Sequence, residues 1–461
     1  MSPGQPSPRL VAAAVLTGTL TILDLAIVLP VLTAIGRDLD ALSEVSWLVA
    51  AYLVASTVTI PVWGRAMDLR GERTAVLSSL VILMIGLVLA VLAPSMTALI
   101  AARVVQGIGA GGTVTFGQAV LAARCDKARR ARLQVWYQAS YGITFAVGPL
   151  LGSALARDSW RWVFVVIMPF VVVAFLLYLG QLRKAPEAKD LPPFDVRGSL
   201  LVTVWMVALL VGVELLPVDG SAKWIGFAAA VIATPLLVSH FKSAPNPLIP
   251  RGIFGNRVIV LASAIMMLIG FAQFAFVTYL PALSELYDRR VNTGIAVALM
   301  MVPYVLLGAV GGMLALKTGT RVLGLFASVG TIVAGLIVTW ALNLPGLYLA
   351  AVVMGVSLAM TMIPMLLLCQ HAAAHADMGA ATSLPILMRN FGGALGAAVI
   401  AALAAGSATS REPASDLAQA FWAVVAVGVV ALVVAVFMPR RAKEFELLAD
   451  NEPQVPMHHH A

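Results

Sequence analysis

The sequence predicts an all-α polytopic membrane protein of 14 transmembrane helices, two six-helix halves flanking a two-helix insert. Three observations carry this. First, 61% of the 461 residues are hydrophobic and 11% are charged, whereas a soluble domain is about 45–50% apolar and about 25% charged. Second, most apolar runs exceed the ~18 residues that mark a membrane span, with short polar hinges between them. Third, Lys and Arg concentrate in alternate hinges, as the positive-inside rule requires. An ordinary water-soluble enzyme is excluded. The net charge of +8 reads as topology and not as a nucleic-acid surface.

In chain order the spans are expected at 9–33, 45–67, 74–93, 97–122, 131–156, 162–182, 197–217, 222–241, 257–280, 291–314, 321–342, 345–369, 378–406 and 417–438. The first apolar run has no basic leader and no small-residue cleavage site, so it is expected to stay as a helix. With the amino terminus inside, 21 basic residues fall on inner segments and 7 on outer ones. Both termini are therefore expected in the cytoplasm of a bacterial cell, the plasma (inner) membrane holding the spans. Cys125 and Cys369 fall at inner span ends, where no disulfide is expected.

The longest inner connections, 183–196 and 242–256, are Pro-rich and set the seventh and eighth spans apart. An internal repeat draws the same boundaries. Gly64-x6-Gly71-x-Arg73 recurs as Gly312-x6-Gly319-x-Arg321, and Leu29-Pro30 recurs as Leu280-Pro281. The expected units are a first half at 1–182, linkers and inserted hairpin at 183–256, a second half at 257–438, and an inner tail at 439–461. Parallel repeats of this kind build alternating-access transporters.

Four motifs resemble the major facilitator superfamily, and within it the fourteen-span drug:proton antiporter branch. Gly64-Arg65-Ala66-Met67-Asp68-Leu69-Arg70-Gly71-Glu72-Arg73 resembles the family's loop G-x-L-A-D-x-x-G-R-K, with Glu72 where a basic residue is usual. Arg103-x2-Gln106-Gly107 is similar to its R-x-x-Q-G pattern. Gly142-x5-Gly148-Pro149-x2-Gly152 looks like the motif that separates antiporters from symporters. Asp24-x5-Pro30 resembles the first-span stretch of the fourteen-span branch.

Physical chemistry singles out the embedded charges. Only Asp24 and Glu214 of the 22 acidic residues lie within spans, Glu214 near an outer end. An ionised carboxylate at mid-bilayer costs ~2.5–3.5 kcal/mol on insertion scales, so Asp24 must pair, face a cavity or take up a proton. Asp24 is the expected proton site. Arg103 and Arg389 both qualify as its partner: depth favours Arg389, and the family fold favours Arg103. The loop with Gly64, Asp68, Arg70, Gly71 and Arg73 is the expected inner gate. Gly142, Gly148, Pro149 and Gly152, with Gly392, Gly393 and Gly396, are expected to form two interfaces that rock between the halves. In the family fold the cavity is lined by spans one, four, nine and twelve; Phe116, Met267, Phe271, Gln273, Phe274 and Met362 are the candidates there.

No His/Cys cluster has metal-ligand spacing, and the phosphate loop of an ATP-driven pump is absent, so no cofactor is expected beyond a proton gradient. The expected function is that of a proton-coupled antiporter exporting amphipathic small molecules such as drugs or antibiotics. Its partners are then that substrate, protons and membrane lipids, with no nucleic acid, and it acts as a monomer. A lipid exporter or flippase of the same fold, and a non-transporting sensor or assembly partner, are the alternatives.

Overall fold

The computed structural model describes residues 7–28, 31–41, 45–124, 154–182, 195–214, 222–245, 247–288, 294–341, 343–373, 377–404 and 413–438, with residues 133, 136, 140, 142–144, 147–148 and 151–152. Pro30, Pro149, Cys125 and the tail from 439 lie outside the described residues, as do the side chains of Asp68 and Glu214. Everything described is helix, turn or connection, with no strand among the described residues.

The first group of helices is α1 (Pro8–Val28), α2 (Leu32–Asp38), α3 (Val45–Arg70), α4 (Glu72–Leu92), α5 (Met96–Arg124), α6 (Trp162–Val165) and α7 (Met168–Tyr178). The insert is α8 (Val196–Glu214) and α9 (Ala222–Ser243), followed by the short α10 (Arg251–Gly255). The remainder is α11 (Arg257–Tyr287), α12 (Gly294–Thr318), α13 (Thr320–Trp340), α14 (Leu344–Ala359), α15 (Met362–Ala372), α16 (Met378–Leu403), α17 (Pro413–Gln419) and α18 (Trp422–Val436). Among the described residues, ten stretches are long and apolar enough to cross a bilayer, so the expected count of fourteen is not supported. Span five lies largely outside the described residues. Trp162–Tyr178 and, within α12, Ile295–Gly308 are shorter apolar stretches.

Buried apolar side chains gather in two large clusters, one drawn from Leu10 to Leu182, the other from Val202 to Met438 with Val58 and Ile60. The repeated loop motif has the same backbone in both copies. Gly71 (φ 81°, ψ 159°) and Gly319 (φ 83°, ψ 153°) each stand immediately before a 21-residue helix, in a region that only glycine enters without strain. The span expected at 345–369 is broken: α14 ends at Met360 and α15 starts after Thr361 (φ −116°, ψ −53°). Pro364 has no N–H to give the Met360 carbonyl, which ends the ladder there. Gly311 of α12 leaves room for the displaced backbone at Ala359 and Met360.

The insert is not wholly peripheral. α9 presents Trp224, Ile225, Val231 and Ile232 outward, but α8 lies across both α3 and α16. Val202 and Met206 join the cluster that holds Val58 and Ile60, and the Trp205 ring tilts onto Phe391 at 5.5 Å. Its start is anchored by Asp195, which accepts from Gly198 N (2.7 Å), Leu248 N (2.9 Å) and His240 Nε2 (2.8 Å). Arg251 then donates to the carbonyls of Phe241, Lys242 and Ala244, closing the end of α9. The segment joining the insert to α11 is thus tied to the ends of both inserted helices.

Candidate functional site

α5 brings the site together because its glycines let backbones meet. A Cβ at Gly107 would stand 2.6 Å from the Tyr52 carbonyl of α3, and one at Gly112 would stand 2.6 Å from Ser79 Cβ of α4. Gly86 of α4 returns the approach, since a Cβ there would meet the Gln106 backbone at 2.5 Å. On its third side α5 meets α1, where Thr21 Oγ1 and Thr113 Oγ1 share a 2.6 Å hydrogen bond. Arg103 and Gln106, one turn apart and so on one face, project into the space where α1, α3 and α5 converge.

Asp24 of α1 occupies that space. Arg103 Nη1 donates to both of its carboxylate oxygens at 3.0 Å, and Gln106 Nε2 donates to Oδ1 at 2.7 Å. Arg103 Nη1 also reaches Gln106 Oε1 at 3.0 Å, and Nε reaches the Leu48 carbonyl at 3.2 Å. Arg103 is 0% exposed and Asp24 1%. Both charges are out of water, where their attraction is strong and where removing either one leaves the other uncompensated. Of the two arginines that the sequence leaves open, Arg103 is the one paired with Asp24. Arg389 instead bonds Asn390 Oδ1 through Nε (3.2 Å) and Nη2 (3.1 Å).

The surroundings include groups that sequence reasoning missed. Tyr52 of α3 lies flat against the guanidinium, Arg103 Cζ standing 4.1 Å from its ring centroid, with Phe164 of α6 at 6.0 Å. An aromatic residue in an apolar helix carries no signal of such a role. A second polar group sits beyond Phe164: Asp38 of α2 accepts from Trp160 Nε1 (2.7 Å) and Arg161 Nη1 (3.3 Å), and Trp160 packs edge-on to Phe164. The Trp160 hydrogen bond, then Arg161, hold the Asp38 carboxyl below its ordinary value.

The other expected residues are placed as follows. Gly64 of α3 abuts Ser383 and the Gly379 carbonyl of α16, with no room for a side chain. Arg70 ends α3 exposed, and Gly71 and Arg73 open α4. In span five, Gly142 faces Val305 of α12, and Gly148 meets Ala26 of α1; Gly152 is buried. The glycines of α16 depart from expectation. Gly392, Gly393 and Gly396 receive Met267, Phe274 and Phe271 of α11. They make a tight contact between two neighbouring helices and not a sliding surface between halves, because spacing reports close approach without saying to what.

That contact also accounts for Met267, Phe271 and Phe274. Phe116 is fully buried, edge-on to Trp63 at 5.9 Å and beside Gly112, inside the first helix group. Met362 is buried at the start of α15. Of the six cavity candidates only Gln273 keeps an unspent polar atom: it is 1% exposed, and its Oε1 accepts no hydrogen bond from the described residues.

Comparison with known proteins agrees with this architecture. The multidrug transporter MdtP of Bacillus subtilis is 27% identical over 395 residues, covering 83% of this chain and 72% of its own. Multidrug resistance protein 3 of the same organism is 24% identical over 347 residues, covering 73% and 67%. An uncharacterised MFS-type transporter of Mycobacterium tuberculosis is 29% identical over 390 residues, covering 82% of this chain and 56% of its own length. The human organic anion transporter MFSD10 superposes with TM-score 0.64 at 15% identity, covering 93% of this chain and 100% of its own. The proton:xylose symporter XylE gives 0.63 at 17%, covering 95% and 98%; at such identities the likeness is one of fold. The relatives are transporters and not enzymes, the structural likeness runs the length of the bundle, and the sequence profile of the Major Facilitator Superfamily matches residues 14–397. This multi-pass membrane chain belongs to the Major Facilitator Superfamily.

Proposed function

We propose that the protein is a proton-coupled exporter of amphipathic small molecules, a drug:proton antiporter of the fourteen-span branch. The observation that carries this reading is the buried Asp24–Arg103–Gln106 cluster between α1 and α5. A carboxylate paired out of water holds or releases a proton according to how closely the arginine sits. Motion of α1 against α5 that loosens the pair favours the protonated acid, and closure expels the proton. Relatives named as multidrug transporters support export of drug-like compounds.

In this reading residues 1–182 and 257–438 are halves that rock about the substrate, and both termini face the cytoplasm of a bacterial inner membrane. Gly64 against α16, with Asp68, Arg70, Gly71 and Arg73, forms the inner gate. Gly142, Gly148, Pro149 and Gly152 are the antiporter motif of span five, with Gly142 against α12 and Gly148 against α1, and Gln273 offers the substrate a hydrogen-bond acceptor. The protein works as a monomer, on its substrate, protons and surrounding lipid, and does not bind nucleic acid.

The test is Asp24→Asn in reconstituted vesicles with an imposed proton gradient. The amide keeps the size and loses the titrating proton, so uphill export is abolished while a neutral substrate still binds. Proton-driven export by the variant would overturn the assignment.

A further inference from the structure

One donor group of Arg103 meets no acceptor among the described residues. A guanidinium carries five N–H bonds. Nη1 and Nε are spent on Asp24, Gln106 and the Leu48 carbonyl, and Nη2 is fully buried without one. Burying a cation with an unspent donor is unfavourable unless another group compensates. The compensating group is the face of Tyr52, 4.1 Å from Cζ, because an aromatic face attracts a desolvated cation.

Tyr52 is itself held in place. It is fully buried, and its hydroxyl donates to the Thr21 carbonyl at 3.2 Å, one turn before Asp24. Thr21 is in turn bonded to Thr113 on α5. One side chain of α3 therefore touches one member of the ion pair, Arg103, and the backbone turn that carries the other, Asp24.

We propose that Tyr52 is a positioning residue of the coupling site: its ring pins the Arg103 guanidinium toward Asp24, and so sets the pH at which the site exchanges its proton. The inference rests on the reading that Asp24 carries that proton. Among the described residues, the other groups facing the pair are neutral: Gln106 on α5, Gly86 on α4 and Phe164 on α6. The next titratable groups are Tyr178 of α7, hydrogen-bonded to Thr17 two turns along α1, and the Asp38–Arg161 pair beyond Trp160. Tyr52 is thus the side chain through which helix α3 acts on the pair.

The experiment measures substrate export against pH in reconstituted vesicles for Tyr52→Phe, Tyr52→Leu and Asp24→Asn. Tyr52→Phe keeps the ring and is expected to keep its midpoint near that of the unaltered protein. Tyr52→Leu frees the guanidinium, and its midpoint moves to more alkaline pH by about one unit. If Tyr52→Leu does not fold, pentafluorophenylalanine at position 52, compared with Phe, keeps the shape and removes the attraction; the same alkaline shift is expected. An unchanged midpoint with only a lowered maximal rate would reduce Tyr52 to packing and overturn the proposal. Uphill export by Asp24→Asn would instead remove the underlying reading, and this inference with it.

Discussion

Arg103 can be lost in two ways that differ in outcome. Arg103→Met leaves Asp24 buried without a cation and is expected to destabilise the protein by about 3–5 kcal/mol, read as a lower unfolding midpoint in detergent. Adding Asp24→Asn removes the orphaned charge, so the double variant should recover much of that stability while staying inactive in export. Equal stability of the single and double variants would count against the pair as built. At Asp38 the effect is present near neutrality and is lost in acid. A carboxylate with a lowered native value stabilises above its unfolded pKa, about 3.9, and loses that contribution as pH falls through the lower native value. Asp38→Asn should therefore cost stability near neutrality and converge with the parent in strong acid, which unfolding curves from pH 7 to pH 2 would show. At this scale the sequence was legible where charge is scarce. Asp24 and Arg103 stand out because acids and bases are rare in spans. Tyr52 does not, because its role exists only once residues 51 positions apart in the chain meet across two helices.

At the scale of the element, glycine decides which helices touch. Gly71 and Gly319 occupy the same glycine-only backbone region, so Gly71→Ala and Gly319→Ala should each cost about 1–3 kcal/mol, again measured by thermal unfolding. A loss at one position only would break the equivalence of the two loops. Gly107→Ala should do more harm than either, because the methyl meets backbone and not a movable side chain. The long helices were readable from apolar runs, but the short α2 and α10 and the split of span six into α6 and α7 were not. Helix partners were not, and the glycines of α16 show why: the same small-residue stripe serves a contact within a helix group or between groups, and only the arrangement in space tells which. The break at Met360 was hidden for a related reason, since Pro364 can kink, end or merely start a helix.

For the whole molecule, α8 spans a boundary. It touches α3 of the first helix group and α16 of the last, while Asp195, His240 and Arg251 tie its base to the segment leading into α11. In the proposed rocking of the halves, it must travel with one of them, and the tie selects the second. In a background without native cysteines, cross-linking Trp205→Cys to Phe391→Cys should therefore leave export intact, whereas a cross-link from α8 to α3 should stop it. The reverse pattern would put the insert with the first half. This arrangement also gives the bundle two unlike flanks. On the α3–α16 side, the insert covers the seam between those helices. Where Gly142 faces Val305, no inserted helix intervenes among the described residues. Under the proposed export of amphipathic compounds, a substrate dissolved in the bilayer is expected to enter by that uncovered flank, a preference that the internal repeat alone would not give.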